Sequence, residues 1–143
     1  MEINDCVLNF LKKDAKRALK RDEIPVSAVI TDSDGNVISC ASNNRQKSCD
    51  VLGHAEILAI KKAEKKIKDW RLTGYKMFVT LEPCNMCSVI IKECRLDHVY
   101  YFLPKKGDNI KDILDINKSQ IEGYEEAKRY FNDLLTFFFE NRR

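Results

Sequence analysis

Apolar residues return every three or four positions between Asn4 and Lys20, at Val7, Leu8, Leu11, Ala15, Ala18 and Leu19, with Lys12, Lys13, Lys16 and Arg17 between them. That spacing predicts an amphipathic helix. Pro25 stops it and opens an extended run, Val26 to Thr31. Asp34-Gly35 is a tight-turn signal, so Val26–Thr31 and Val37–Ala41 should form a hairpin. Asn43 to Gly53 reads as a polar connection. The helical period resumes from about His54 to Ile67 through Ile57, Leu58, Ile60 and Ile67. Tyr75 to Leu81 reads as a buried strand, Pro83 as the first turn of a helix running to about Cys94, and Val99 to Leu103 as a further strand. Pro104 to Gln120 is charged and weakly patterned, and Ile121 to Arg143 reads as a closing helix. Helices that alternate with strands predict a three-layer α/β/α sandwich with a central sheet, built as one domain over residues 1–143.

Composition narrows the class. The apolar runs are short, far from the roughly 20 residues of a membrane span. The start, MEINDC, has no basic region followed by an apolar stretch, so no signal peptide is expected and the expectation is a cytoplasmic protein. With 25 basic and 22 acidic residues the net charge is +3, too balanced to argue for nucleic acid by itself. Six cysteines without a secretion signal point to metal binding or free thiols rather than disulfides.

Two short segments carry the candidate chemistry: His54-Ala55-Glu56 and Pro83-Cys84-Asn85-Met86-Cys87. Both fall where a helix should begin. Cys84 and Cys87 are three apart, so on a first helical turn both thiols face one side. One imidazole and two thiolates suit a tetrahedral Zn²⁺ with its fourth position open for water. A helix N-terminus favours the thiolates the metal needs. Glu56 lies about 200° round a helix from His54, which argues against a shared ion, but at a helix start it can reach over the water and carry its proton. Spacing alone leaves other readings: a redox pair, or a structural zinc closed by a fourth ligand such as Cys49. Cys94 lies about two turns, roughly 10 Å, beyond Cys87, too far for one ion on a continuous helix.

The pair HAE … PCNMC matches the zinc-deaminase signature His-x-Glu … Pro-Cys-x-x-Cys. With EIPVSAVI (Glu23–Ile30), NNRQ (Asn43–Gln46), HAEILAI (His54–Ile60), VTLEPCNMC (Val79–Cys87) and DLLTFFFENRR (Asp133–Arg143), the chain resembles the bacterial tRNA-specific adenosine deaminases over nearly its whole length. The resemblance implies a cytidine-deaminase-like fold, one zinc per subunit, a homodimer, and hydrolytic conversion of the wobble adenosine in a tRNA anticodon loop to inosine. By position it gives His54, Cys84 and Cys87 to zinc and Glu56 to proton transfer. It puts Asn43 and the Ala55 N–H on the base edge, and Val26 and Leu81 in the pocket walls. A deaminase of a free base or nucleoside (guanine, cytosine or cytidine) and a non-enzymatic structural-zinc domain that binds RNA remain alternatives. Ser27 stands where the family commonly has Gly, and Val51-Leu52-Gly53 where it has Pro-Thr-Ala. Lys105 takes a position that is acidic in the family, so Lys105 and Lys106 become candidate phosphate contacts.

Other features read as structural. At least two rings of Phe137–Phe139 should pack on the core. Lys61, Lys62, Lys65, Lys66 and Lys68 should form a wet helix face. Cys6, Cys40 and Cys94 should be buried apolar residues. His98 should precede a strand without a ligand partner.

Overall fold

The computed structural model describes residues 2–105 and 115–141. Helix α1 (Asp5–Lys20) starts at Asn4, whose side chain accepts the Cys6 N–H, and buries the stripe Val7, Leu11, Ala15 and Ala18. The hairpin follows as β1 (Ser27–Thr31) and β2 (Val37–Ser42). A short helix, α2 (Arg45–Ser48), lies inside the polar connection. Then come α3 (Ala55–Ile67), β3 (Lys76–Leu81), α4 (Asn85–Glu93), β4 (His98–Leu103), β5 (Lys118–Gln120) and α5 (Glu125–Glu140).

The five strands form one mixed sheet in the order β2-β1-β3-β4-β5. β1 is antiparallel to β2 and to β3, while β3, β4 and β5 run parallel. Strand alternation sends successive side chains to opposite faces. Ala28, Ile30, Met77, Val79 and Val99 meet Ala55, Ile57, Ala59, Ile60 and Ala63 of α3 and Cys87 and Ile91 of α4. On the other face Val29, Phe78 and Phe102 meet Val7, Leu11 and Ala15 of α1 and Ala127 and Phe131 of α5. The three layers expected from the helix–strand alternation are present.

The differences are local. Pro83 lies before α4, whose N-cap is Cys84, rather than in its first turn. β5 arises in a segment with no strand pattern, because an edge strand with solvated faces needs little apolar alternation. α5 begins at Glu125, not Ile121. Its buried positions, Ala127 and Phe131, set a stripe that Leu134 continues. Consecutive residues diverge by about 100° on a helix, so Phe137 (56% exposed) and Phe139 (53%) point to solvent, against the expectation that two of the three rings pack. Cys94 is buried as expected, but Cys40 only partly, and Cys6 is exposed on the polar face of α1. The lysine face of α3 is solvated. Arg142, Arg143 and Lys106 lie outside the described residues.

Candidate active site

The site forms at one end of the sheet. The register Ala28↔Val79 and Ala28↔Ala41 sets Val26 beside both Leu81 and Asn43, and the Asn43 N–H donates to the Val26 carbonyl at 3.1 Å. Val26 and Asn43 are buried, and Leu81 is partly so. α4 leaves the C-terminal end of β3 at the same end.

His54 and Cys84 are both N-cap residues in extended conformation, with ψ of 142° and 172°. Neither side chain caps its own helix. Both are thereby released to point across the helix starts, where free N–H groups and the positive dipole end favour negative charge. An imidazole nitrogen of His54 and the sulfurs of Cys84 and Cys87 all lie within 4.8 Å of one another. Cys87 Sγ stands 3.6 Å from His54 Nδ1. A tetrahedral zinc with Zn–S of about 2.3 Å and Zn–N of about 2.05 Å separates its S and N ligands by about 3.6 Å. The Cys87–His54 separation matches that value, and the three donors are close enough together to share one ion. No fourth cysteine, histidine or carboxylate joins them among the described residues. Cys49 is exposed with its thiol on the Gln46 carbonyl, and the Cys94 thiol donates to the Ile91 carbonyl. The structural-zinc reading lacks its closing ligand.

The two thiols are electrostatically unequal. Cys84 is pulled down to about 5, chiefly by a hydrogen bond from the Cys87 thiol. Cys87 is pushed up by that same bond and by burial. Glu56 is 4% exposed, and burial raises its carboxyl to about 7. It also meets the Cys87 thiol. Because His54 is a cap and not a helical residue, the 200° helical divergence does not apply to it. Glu56 lies against the ligand cluster from the first turn of α3.

Asn43 is fixed by its surroundings. Its Oδ1 accepts the Ala55 N–H at 2.8 Å, so that amide is spent inside the protein and the Asn43 NH₂ is the side of the group left over. Ser27, standing where a glycine is common, directs its hydroxyl to the Leu11 carbonyl at 2.6 Å. A Cβ on Gly53 would fall 2.5 Å from the Asn44 carbonyl oxygen, so the backbone there tolerates only glycine.

Sequence reasoning missed three braces. Glu23 accepts the backbone N–H groups of Arg45, Gln46 and Lys47. Arg21 donates to Ser42 Oγ and to the Asn43 carbonyl. Glu82, next to the Pro83-Cys84 turn, pairs with Lys118 at 2.7 Å and accepts the Lys105 N–H. No local pattern announces such pairings, since each joins residues 21 or more apart in the chain. Lys105 Nζ reaches the Pro83 carbonyl at 3.5 Å, one residue from a zinc ligand. His98 opens β4 and meets Ser119 Oγ.

Comparison with known proteins agrees with this geometry. Residues 1–103 match the cytidine and deoxycytidylate deaminase zinc-binding region. The chain is 34% identical over 143 residues to the tRNA-specific adenosine deaminase of Aquifex aeolicus strain VF5, covering 94% of each. It superposes with a TM-score of 0.79 and 28% identity on a solved structure from work on A-to-I editing by tRNA:A34 deaminases at the wobble position of transfer RNA, over 92% of this chain and 100% of that one. A guanine deaminase from Bacillus subtilis aligns with a TM-score of 0.65 and 25% identity over 100% of this chain and 98% of its own. A buried carboxylate beside three zinc donors, on this sheet and with these relatives, has one reading: the chain belongs to the cytidine and deoxycytidylate deaminase family of zinc-binding proteins, among its tRNA-specific adenosine deaminases.

Proposed function

We propose that the protein hydrolyses the wobble adenosine of a tRNA anticodon loop to inosine, releasing ammonia. The observation that carries this is the convergence of the His54 imidazole, Cys84 Sγ and Cys87 Sγ around a space with no fourth protein ligand among the described residues, with Glu56 buried beside it. When bound there, zinc supplies an acidified water that is nucleophilic at neutral pH. Glu56 would take one proton from the attacking water and pass it to N1 as the C6–O bond forms, then carry the second proton from the new C6 hydroxyl to the amine, which leaves as ammonia when the C6–N6 bond breaks. Glu56 is buried against the ligand cluster, within reach of a water held there.

Asn43 presents its NH₂ to the base edge. The Ala55 N–H serves that contact from behind, through Asn43 Oδ1, rather than by touching the base. Val26 and Leu81 form the apolar walls, adjacent across the β1–β3 register. A loop base leaves its stack at lower cost than a duplex base, which suits an anticodon loop as partner. Lys105 supplies a cation beside the site for backbone phosphate. Each chain acts as one deaminase domain. It pairs as a homodimer, for which the exposed apolar residues Val51, Leu52, Trp70 and Val89, on or beside α3 and α4, offer surface. No described helix is long and apolar enough to cross a membrane, and a tRNA substrate supports the reading of a cytoplasmic enzyme.

The likeness to a guanine deaminase over the whole chain favours free-base deamination as the second reading. One assay separates them. The protein is incubated with an anticodon stem-loop carrying adenosine at the wobble position, and in parallel with adenosine, guanine and cytidine. Inosine in the stem-loop alone is expected. Turnover of guanine with an inert stem-loop decides for the second reading.

A further inference from the structure

Asn43 is held at three atoms, and the group that secures the chain beside it comes from elsewhere in the fold. Its N–H donates to Val26, its carbonyl accepts Arg21 Nη2 at 3.1 Å, and its Oδ1 accepts the Ala55 N–H. Two residues on, α2 begins. The Asn44 N-cap side chain makes no capping bond to it. The orphan amides of Arg45, Gln46 and Lys47 go instead to Glu23, at 2.8, 3.0 and 3.1 Å. Glu23 is 2% exposed. Only a carboxylate has enough acceptor sites and no donor, so no neutral side chain satisfies three converging N–H groups. The far end of this loop returns to the start: the Asn44 N–H donates to the Gly53 carbonyl at 2.8 Å, next to His54. Asn43 Oδ1 holds the N–H of Ala55, the residue between His54 and Glu56, so a shift of the clamped turn is felt at the start of α3.

We infer that Glu23 is a positioning residue for the reaction, acting through Asn43 by clamping the turn that follows it. This rests on the reading of Asn43 as the group that meets the base. Loss of a carboxylate kept only for stability would lower the melting temperature without touching turnover of the folded enzyme. Loss of one that aims Asn43 lowers kcat, because misplacement on the scale of 1 Å costs up to about 100-fold.

The test is a double-mutant cycle on the zinc-loaded protein, with the stem-loop and guanine both offered to every variant below its melting temperature. In Glu23→Gln an NH₂ group meets the backbone donors. We expect kcat to fall about 10- to 100-fold, KM to change less than about threefold, and zinc to stay at one per chain. Glu23→Asp keeps the charge but loses the reach. It should show the same signature at smaller size, and it serves if Glu23→Gln folds poorly. Combined with Asn43→Ala, either Glu23 change should cost nothing beyond Asn43→Ala alone. Multiplying losses, unchanged kcat, or a loss that tracks zinc content overturns the role. Full activity in Asn43→Ala overturns the reading of Asn43, and the Glu23 role with it. A wild type that converts guanine and not the stem-loop overturns the RNA reading alone, and the cycle is then read on guanine.

Discussion

Glu56 carries opposite demands, and burial decides between them. Its carboxyl is raised from 4.5 to about 7 by desolvation. In the metal-free protein the folded state therefore holds a proton that the unfolded chain releases near 4.5. The sign is fixed: this contribution favours folding below pH 4.5 and is lost as pH rises through 7, a swing of about 3 kcal/mol. Metal-stripped Glu56→Gln should resist denaturant better than metal-stripped wild type at pH 8, with the gap closing by pH 4. Equal gaps at both pH values would contradict the buried-carboxyl account. In the zinc-loaded protein the same substitution should retain one zinc per chain by elemental analysis and lose activity by about 10² to 10⁴. His54→Ala or Cys87→Ala should instead lose the zinc itself. Lys105→Glu should weaken stem-loop binding and flatten its salt dependence by close to one unit of log–log slope, and unchanged binding across salt would remove Lys105 from the interface. At this scale the gathering of His54, Cys84 and Cys87 was legible, because their donor chemistry sits in short local motifs, and Glu56, proposed for proton transfer, lies in one of them. Glu23, Arg21 and Glu82 were not, because their partners are backbone amides, a carbonyl and a lysine brought near only by folding.

The functional elements are two helix starts and one clamped turn. α3 and α4 each begin with a proposed zinc ligand as N-cap, which is why helical periodicity points to both positions. The turn between Asn43 and His54 was invisible to that reasoning. Its four-residue helix has no buried side chain and so leaves no apolar pattern. Gly53 tests it directly. A methyl group there would collide with the Asn44 carbonyl, so Gly53→Ala should displace the turn, lower stability by about 1–3 kcal/mol and reduce kcat, as read from denaturation and the stem-loop assay. Wild-type values on both would mean the turn relaxes freely. Lys118 and Glu82 act at the other side of the site, with side chains 15% and 12% exposed. β5 contributes Lys118 to that pair, so a strand without a strand-like pattern supports the approach to Cys84.

The molecule as a whole divides its labour between the faces of the sheet. One face buries α3 and α4 and carries the chemistry; the other buries α1 and α5. Phe131 is fully buried in the second core and packs edge-on against Phe102 with centroids 5.0 Å apart. Phe131→Ala should cost about 3–5 kcal/mol of stability while leaving the kcat of the folded protein intact. A kcat loss at temperatures where the variant is folded would show that the two faces are coupled. Alternation of helices and strands made the layers readable. The strand order was not, since β1 lies between β2 and β3 through pairings that sequence order does not encode.

His54 and Cys84 are 30 positions apart and cap two different helices, with the β1–β3 pairing between them in the native fold. The ion thus fastens a long loop much as a late-closing clasp does. An unfolded chain offers Cys84 and Cys87 as a weak bidentate grip, and the third donor arrives with the native topology. Tight zinc uptake is consequently a kinetic reporter of chain assembly: in refolding, the loose two-thiol grip can form early, and three-donor capture should trail formation of the β1–β3 ladder.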